Sequence, residues 1–174
     1  MTIPVDKSAP LTPTQLQGNT SFATSVALLL LRLVLGWIFV YAGAGKAFGA
    51  FGGMGIENTA KFIGSTMPSF LPPMAWAILL AYTEFLGGVL ILIGLITRIA
   101  SIPIIITMIV AIVKATGKLG FMAQGGYAFN LALIAMAAAL LLTGPGLISL
   151  DALLFRRSLL ARGPQPLANP VARP

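Results

Sequence analysis

Cysteine and histidine are both absent from the 174 residues, and only four residues are acidic. Without cysteine there is no disulfide framework, no thiolate nucleophile and no iron–sulfur ligation. Without histidine, imidazole acid–base chemistry and the commonest zinc and haem ligand are gone as well. Charge of either sign is scarce at 9%, against about 25% in an ordinary soluble domain. Eleven basic and four acidic side chains are too few to cover a water-soluble globule of this size. What fills the space is apolar: 57% of the residues are hydrophobic and the mean hydropathy is +0.96. The chain therefore reads as an integral membrane protein, with room for four and at most five crossings. Its net charge of +7 does not point to nucleic acid. The basic residues are scattered between apolar runs and form no single stripe. Asp6, Glu57, Glu84 and Asp151 lie in separate regions, so no metal site is expected.

Residues 1–22 are polar and broken by Pro4, Pro10 and Pro13, and read as a disordered tail. The first apolar run, 26–48, carries Arg32. Its small residues Ala42-Gly43-Ala44 resemble a cleavage site. The run is too long and begins too late for a signal peptide, so a retained first span is expected. A glycine-rich stretch over 43–55 follows, either close-packed or a flexible exit loop. Gly45-Lys46-Ala47 is not a phosphate loop, because Ala47 lacks the hydroxyl. Residues 56–70 look like a short amphipathic or re-entrant helix, closed by Leu71-Pro72-Pro73. The remaining spans are expected over 74–96 with Glu84 near the middle, 99–116 with Pro103 and Lys114, and 127–143 with Asn130. Ser149 can cap a short helix through Arg157, and a Pro/Arg-rich tail runs from 158 to 174. The organisation is thus a tail, a membrane domain over 23–157 and a second tail. The fold class is all-α: a bundle of four transmembrane helices with the amphipathic segment between the first two. Lys7, Arg98, Arg156, Arg157, Arg162 and Arg173 flank one side, and Lys46, Lys61, Lys114 and Lys118 the other. That bias, with its cluster after the fourth span, places both termini inside.

Several of these pieces together resemble the DoxX family. They are Arg32-Leu33-Val34-Leu35-Gly36-Trp37-Ile38-Phe39 with Gly43-Ala44-Gly45-Lys46, and Glu84 with Gly87-Gly88. The Gly94-Leu95-x-Thr97-Arg98 turn and the ending Leu142-Thr143-Gly144-Pro145-Gly146-x-x-Ser149-Leu150-Asp151 complete the set. The resemblance covers roughly residues 27–155. It implies a four-helix prokaryotic membrane protein, and a place beside redox proteins such as the archaeal thiosulfate:quinone oxidoreductase whose subunit gave the family its name. Members of the family often have a polar residue or His late in the third span, and a carboxylate after the Gly-Gly-Tyr of the fourth. This chain has Lys114-Ala115-Thr116 and Gly125-Gly126-Tyr127-Ala128 instead, so a proton relay through that carboxylate is lost here.

The residues that can carry chemistry are the ionisable ones at membrane depth. Aligning Lys46 with Met74 at a common boundary puts Arg32 about 21 Å and Glu84 about 15 Å below it, at 1.5 Å per residue. An Arg32–Glu84 ion pair is therefore expected, either as a structural lock or as a quinone or proton site. An unpaired charge there would cost about 2.5–3.5 kcal/mol on insertion scales. Lys46 and Arg98 read as interfacial anchors that could also contact an anion or headgroup. Tyr82 and Asn130 are candidate polar lining, with Asn130 bonding either across helices or to a ligand carbonyl. Gly36/Gly43 and Gly87/Gly94 recur at seven residues and mark close helix packing. Three functions fit: a metal-free subunit of a respiratory or sulfur-linked redox complex touching quinone, a small-solute carrier or channel, or a membrane scaffold. Lipid is the certain partner, and redox subunits or a second copy are the others. The bacterial inner membrane is the expected location.

Overall fold

The computed structural model describes residues 13–154, with side chains from Phe22 onward. Five α-helices carry the fold: α1 (Pro13–Phe48), α2 (Gly55–Gly64), α3 (Pro73–Ile93), α4 (Thr97–Ala111) and α5 (Ala128–Thr143). Among the described residues there is no strand. The all-helical membrane architecture is as the composition requires. Within α1 the apolar stretch Phe22–Phe48 is long enough to cross a membrane, as are Pro73–Ile93 and Thr97–Leu119. α5 is apolar but has 16 residues, about 24 Å of helix, less than the ~30 Å hydrocarbon core. Large apolar side chains such as Leu30, Trp37, Leu79, Ile99, Ile106 and Phe129 are exposed around the outside. In a chain with these helices that surface meets lipid.

Two boundaries differ from expectation. α1 begins at Pro13, so residues 13–22 extend a helix that was expected to be a tail. Proline at the first helical position costs nothing, since its missing N–H would have had no partner. Residues 1–12 and 155–174 lie outside the described residues, and with them most of the N-terminal tail and all of the C-terminal one. The amphipathic segment is helical only over α2; Pro73 then opens α3 instead of closing what precedes it.

α1, α3, α4 and α5 run alternately up and down, each packed on the next, with α1 also touching α5. Leu35, Phe39, Ile91, Ile104, Leu133, Ala137 and Leu140 form the shared core. α1 and α3 approach most closely because glycines line their seam. A Cβ on Gly43 would sit 2.3 Å from the Phe85 nitrogen, and one on Gly36 would sit 2.9 Å from the Gly88 carbonyl. α2 folds back over the start of α3 and buries Ala60 and Ile63 against Ala77. The glycine-rich stretch between α1 and α2 is a tight turn, with Gly53 lying directly against Gly45. Gly45, Gly49 and Gly53, expected either to pack on another helix or to form a flexible loop, instead pack on one another and on neighbouring residues within the turn.

Candidate functional site

The two charged residues expected to pair stand apart. Gly43 lies against Phe85, which sets Glu84 level with about residue 44 of α1. Arg32 is then about twelve residues away, or roughly 18 Å along the axis at 1.5 Å per residue. The expected Arg32–Glu84 pair is therefore wrong. The assumed common boundary is the cause: α3 extends well past the end of α1, where α2 covers it, so the helices are offset.

Arg32 is buried at 2% exposure and spends its guanidinium on backbone carbonyls. Nε donates to Ile91 (3.0 Å), Nη2 to Leu92 (3.1 Å), and Nη1 to Pro145 (2.9 Å) and Ile148 (2.7 Å). Ile91 and Leu92 close α3, whose last carbonyls have no partner within the helix and carry its negative dipole end. Gly94 takes φ +71 there and leaves the space Arg32 needs, since a Cβ would come within 2.5 Å of the guanidinium. Asp151 completes the knot: its carboxylate accepts from the Ile96 N–H at 2.9 Å, and its own N–H donates to Gly94 at 3.0 Å. That anchor holds Ile96 at φ +43, a conformation a β-branched residue avoids. Ser149 caps the helical turn after it through the Ala152 N–H, as expected. Arg98 repeats the device on a smaller scale, donating to the closing carbonyls of α5, Leu142 and Thr143. The arginine, turn and Gly-Pro-Gly motifs thus meet at one end of the bundle and fasten it. Arg32 is fully committed to this clamp, while Arg98 remains exposed.

The other end is different. Glu84, with its side chain 3% exposed, is salt-bridged to Lys46 at the last turn of α1. Lys46 is accordingly more than an interfacial anchor. The pair forms part of the wall of a partly open cavity of about 290 Å³ lined by residues of α1, α2, α3, α4 and α5. Most of the lining is apolar, including Phe39, Ile63, Met67, Leu80 and Leu133, with Phe62 and Phe129 also exposed on the outside. Asn130 brings an amide into the same space. It accepts from Thr116 and donates to the Met108 sulfur, both contacts across helices. A thioether is a weak acceptor, so the amide keeps donor capacity. Lys114 reaches the wall from a π-turn over Ile112–Thr116 that continues α4. Such turns recur at functional sites because they shift side-chain register by one position. Tyr82 is not part of this lining; it is exposed on the outside of α3, edge-on to Phe48. Among the described residues no three of His, Cys, Asp or Glu gather to hold a metal.

Lys46 is thus the residue that sequence reasoning placed without finding its role. The signal lay in the glycines. Laying Gly36 against Gly88 in antiparallel helices puts Arg32 opposite Leu92 and frees Glu84 for a residue nearer the end of α1.

Comparison with known proteins agrees with the motifs. The family model DoxX matches residues 27–117. The Bacillus subtilis (strain 168) protein named "Putative oxidoreductase CatD" is 36% identical over 139 residues, which cover 79% of this chain and 92% of that protein. No solved structure matches the chain significantly.

Proposed function

The chain belongs to the DoxX family, and on that premise we propose that it is the membrane subunit of a redox system, with a quinone head group seated against Lys46, Glu84 and Asn130. The observation that carries this reading is the cavity: lined by all five helices, partly open, mostly apolar, and furnished with a few convergent polar groups. The name of the Bacillus relative lends support from a second direction. The residues fit the group. Lys46 supplies a cationic donor for a carbonyl oxygen, Asn130 a neutral one, and the aliphatic and aromatic wall suits a ring and keeps water away. Phe62 and Phe129 form an apolar rim toward lipid, where an isoprenoid tail would leave. Bound there, a quinone would supply two-electron, two-proton redox chemistry. With no Cys and no His in the chain, the electrons come from a partner protein. We read the bundle as sitting in the bacterial inner membrane with its Arg32–Arg98 end inside, a reading supported by the bias of basic residues in the sequence around the termini.

Equilibrium binding of a short-tailed quinone to protein in nanodiscs tests the proposal. Saturable binding is expected, and Lys46→Met and Asn130→Leu should each weaken it about tenfold, the value of one hydrogen bond of about 1.4 kcal/mol. Absence of saturable binding by the folded protein overturns it.

A further inference from the structure

Lys46 lines a second hollow as well. The glycine turn after α1 borders an open cup of about 280 Å³ lined by Tyr41, Ala42, Gly45, Ala50, Gly53 and Lys46. Gly52, Gly53 and Met54 at its rim are exposed, so the cup lies at the end of the bundle where α1 stops. Ala42 and Lys46 belong to the walls of both spaces. Glu84 belongs to the inner one alone, with Lys46 as its salt-bridge partner. The glycines explain why the cup persists. Gly45 and Gly53 are in backbone contact, so the turn is pinned in place and does not collapse onto Lys46.

From this arrangement we infer that Lys46 and Glu84 form the gate of a proton path joining the membrane cavity to the aqueous face beside the α1–α2 turn. The step balances without any electron moving. A hydroxyl in the cavity gives its proton to the Glu84 carboxylate. Lys46 gives one ammonium proton to water in the cup and takes up the proton held on Glu84. One proton has crossed and the pair is as it began; the reverse order delivers a proton inward. The other ionisable groups near the pair are few. Lys114 from the end of α4 faces the cavity, and Tyr41 faces the cup. α2 contributes Glu57 and Lys61, which line a separate hollow with Gly64 and Pro73. The described part of α5 contributes none. The inference rests on the quinone reading only for what the proton serves; the path itself can be probed with no quinone present.

Because the chain has no cysteine, a single introduced thiol reports access cleanly. Glu84→Cys in the full-length protein, in sealed vesicles of each orientation, is treated with a small cationic membrane-impermeant methanethiosulfonate. Labelling is expected from the face that also labels a Lys118→Cys control, and not from the opposite face. Adding Ala50→Trp, which fills the cup, should slow it at least tenfold while leaving the control unchanged. Adding Lys46→Ala should speed it. Should Glu84→Cys fail to fold, Leu80→Cys, which lines the cavity and not the cup, gives the same reading. A thiol that stays unreactive while the control labels overturns the path. So does labelling that Ala50→Trp leaves unchanged, because the reagent then enters from the lipid side. Either result leaves quinone binding to be judged separately.

Discussion

Replacing Arg32 by leucine removes four hydrogen bonds at once, and their geometry gives the expected loss. Hydrogen bonds from a charged donor contribute about 1.5–3 kcal/mol each, and a buried carbonyl left without a partner costs about 1–3 kcal/mol. The Ile91 and Leu92 carbonyls close a buried helix end; Ile91 keeps the Gly94 N–H as a second donor at 3.1 Å, whereas Leu92 has no other donor in the turn that caps it. Those of Pro145 and Ile148 lie in the loop after α5, where water can replace part of the loss. One carbonyl orphaned in full and three in part come to about 3–6 kcal/mol, a large share of the 5–15 kcal/mol that holds a typical domain together. Arg32→Lys keeps a cation at the helix end, worth about 0.5–1 kcal/mol. A single ammonium cannot span four acceptors, so most of the loss should remain. Thermal unfolding in detergent, followed by tryptophan fluorescence, should place wild type highest, Arg32→Lys next and Arg32→Leu lowest. At 2–4 °C per kcal/mol the leucine variant should melt about 6–24 °C below wild type. An Arg32→Leu protein within about 1 kcal/mol of wild type would refute the clamp. A loss matched and relieved by Glu84→Leu would restore the direct pairing that the helix offset excludes.

Two further outcomes follow from the packing. Lys46→Met leaves Glu84 buried without a cation and should cost about 3–5 kcal/mol, while Lys46→Met/Glu84→Leu should recover much of it; a non-additive cycle in unfolding free energies is the measurement, and additive losses would mean the two do not interact. Gly43→Ala drives a methyl to 2.3 Å from the Phe85 backbone and must part α1 from α3, so a loss above about 3 kcal/mol is expected, whereas Gly52→Ala meets no atom within 4 Å and should lose only about 1 kcal/mol through its positive φ.

Composition and periodicity determined a good deal by themselves. The scarcity of charge decided that the chain lies in a membrane. Uninterrupted apolar runs located the helices, because a hydrocarbon solvent leaves the backbone no alternative. Local chemistry was legible too: Ser149 caps where its hydroxyl can reach an unpaired N–H, and Gly36/Gly43 mark the seam between α1 and α3, although of the second pair Gly87 faces Ile104 of α4 and Gly94 ends α3 beside Arg32. The family motifs were readable as a set, though not their division into a fastened end and an open one. That division depends on the offset between α1 and α3, which hydropathy cannot fix, since lipid tolerates a helix slid by two turns almost equally well. Glycine contacts and the fold of α2 over α3 set the offset in three dimensions. They turned Arg32 toward the carbonyls of Ile91 and Leu92, gave Glu84 to Lys46, and placed Asn130 in the same cavity from a helix more than forty residues further along the chain.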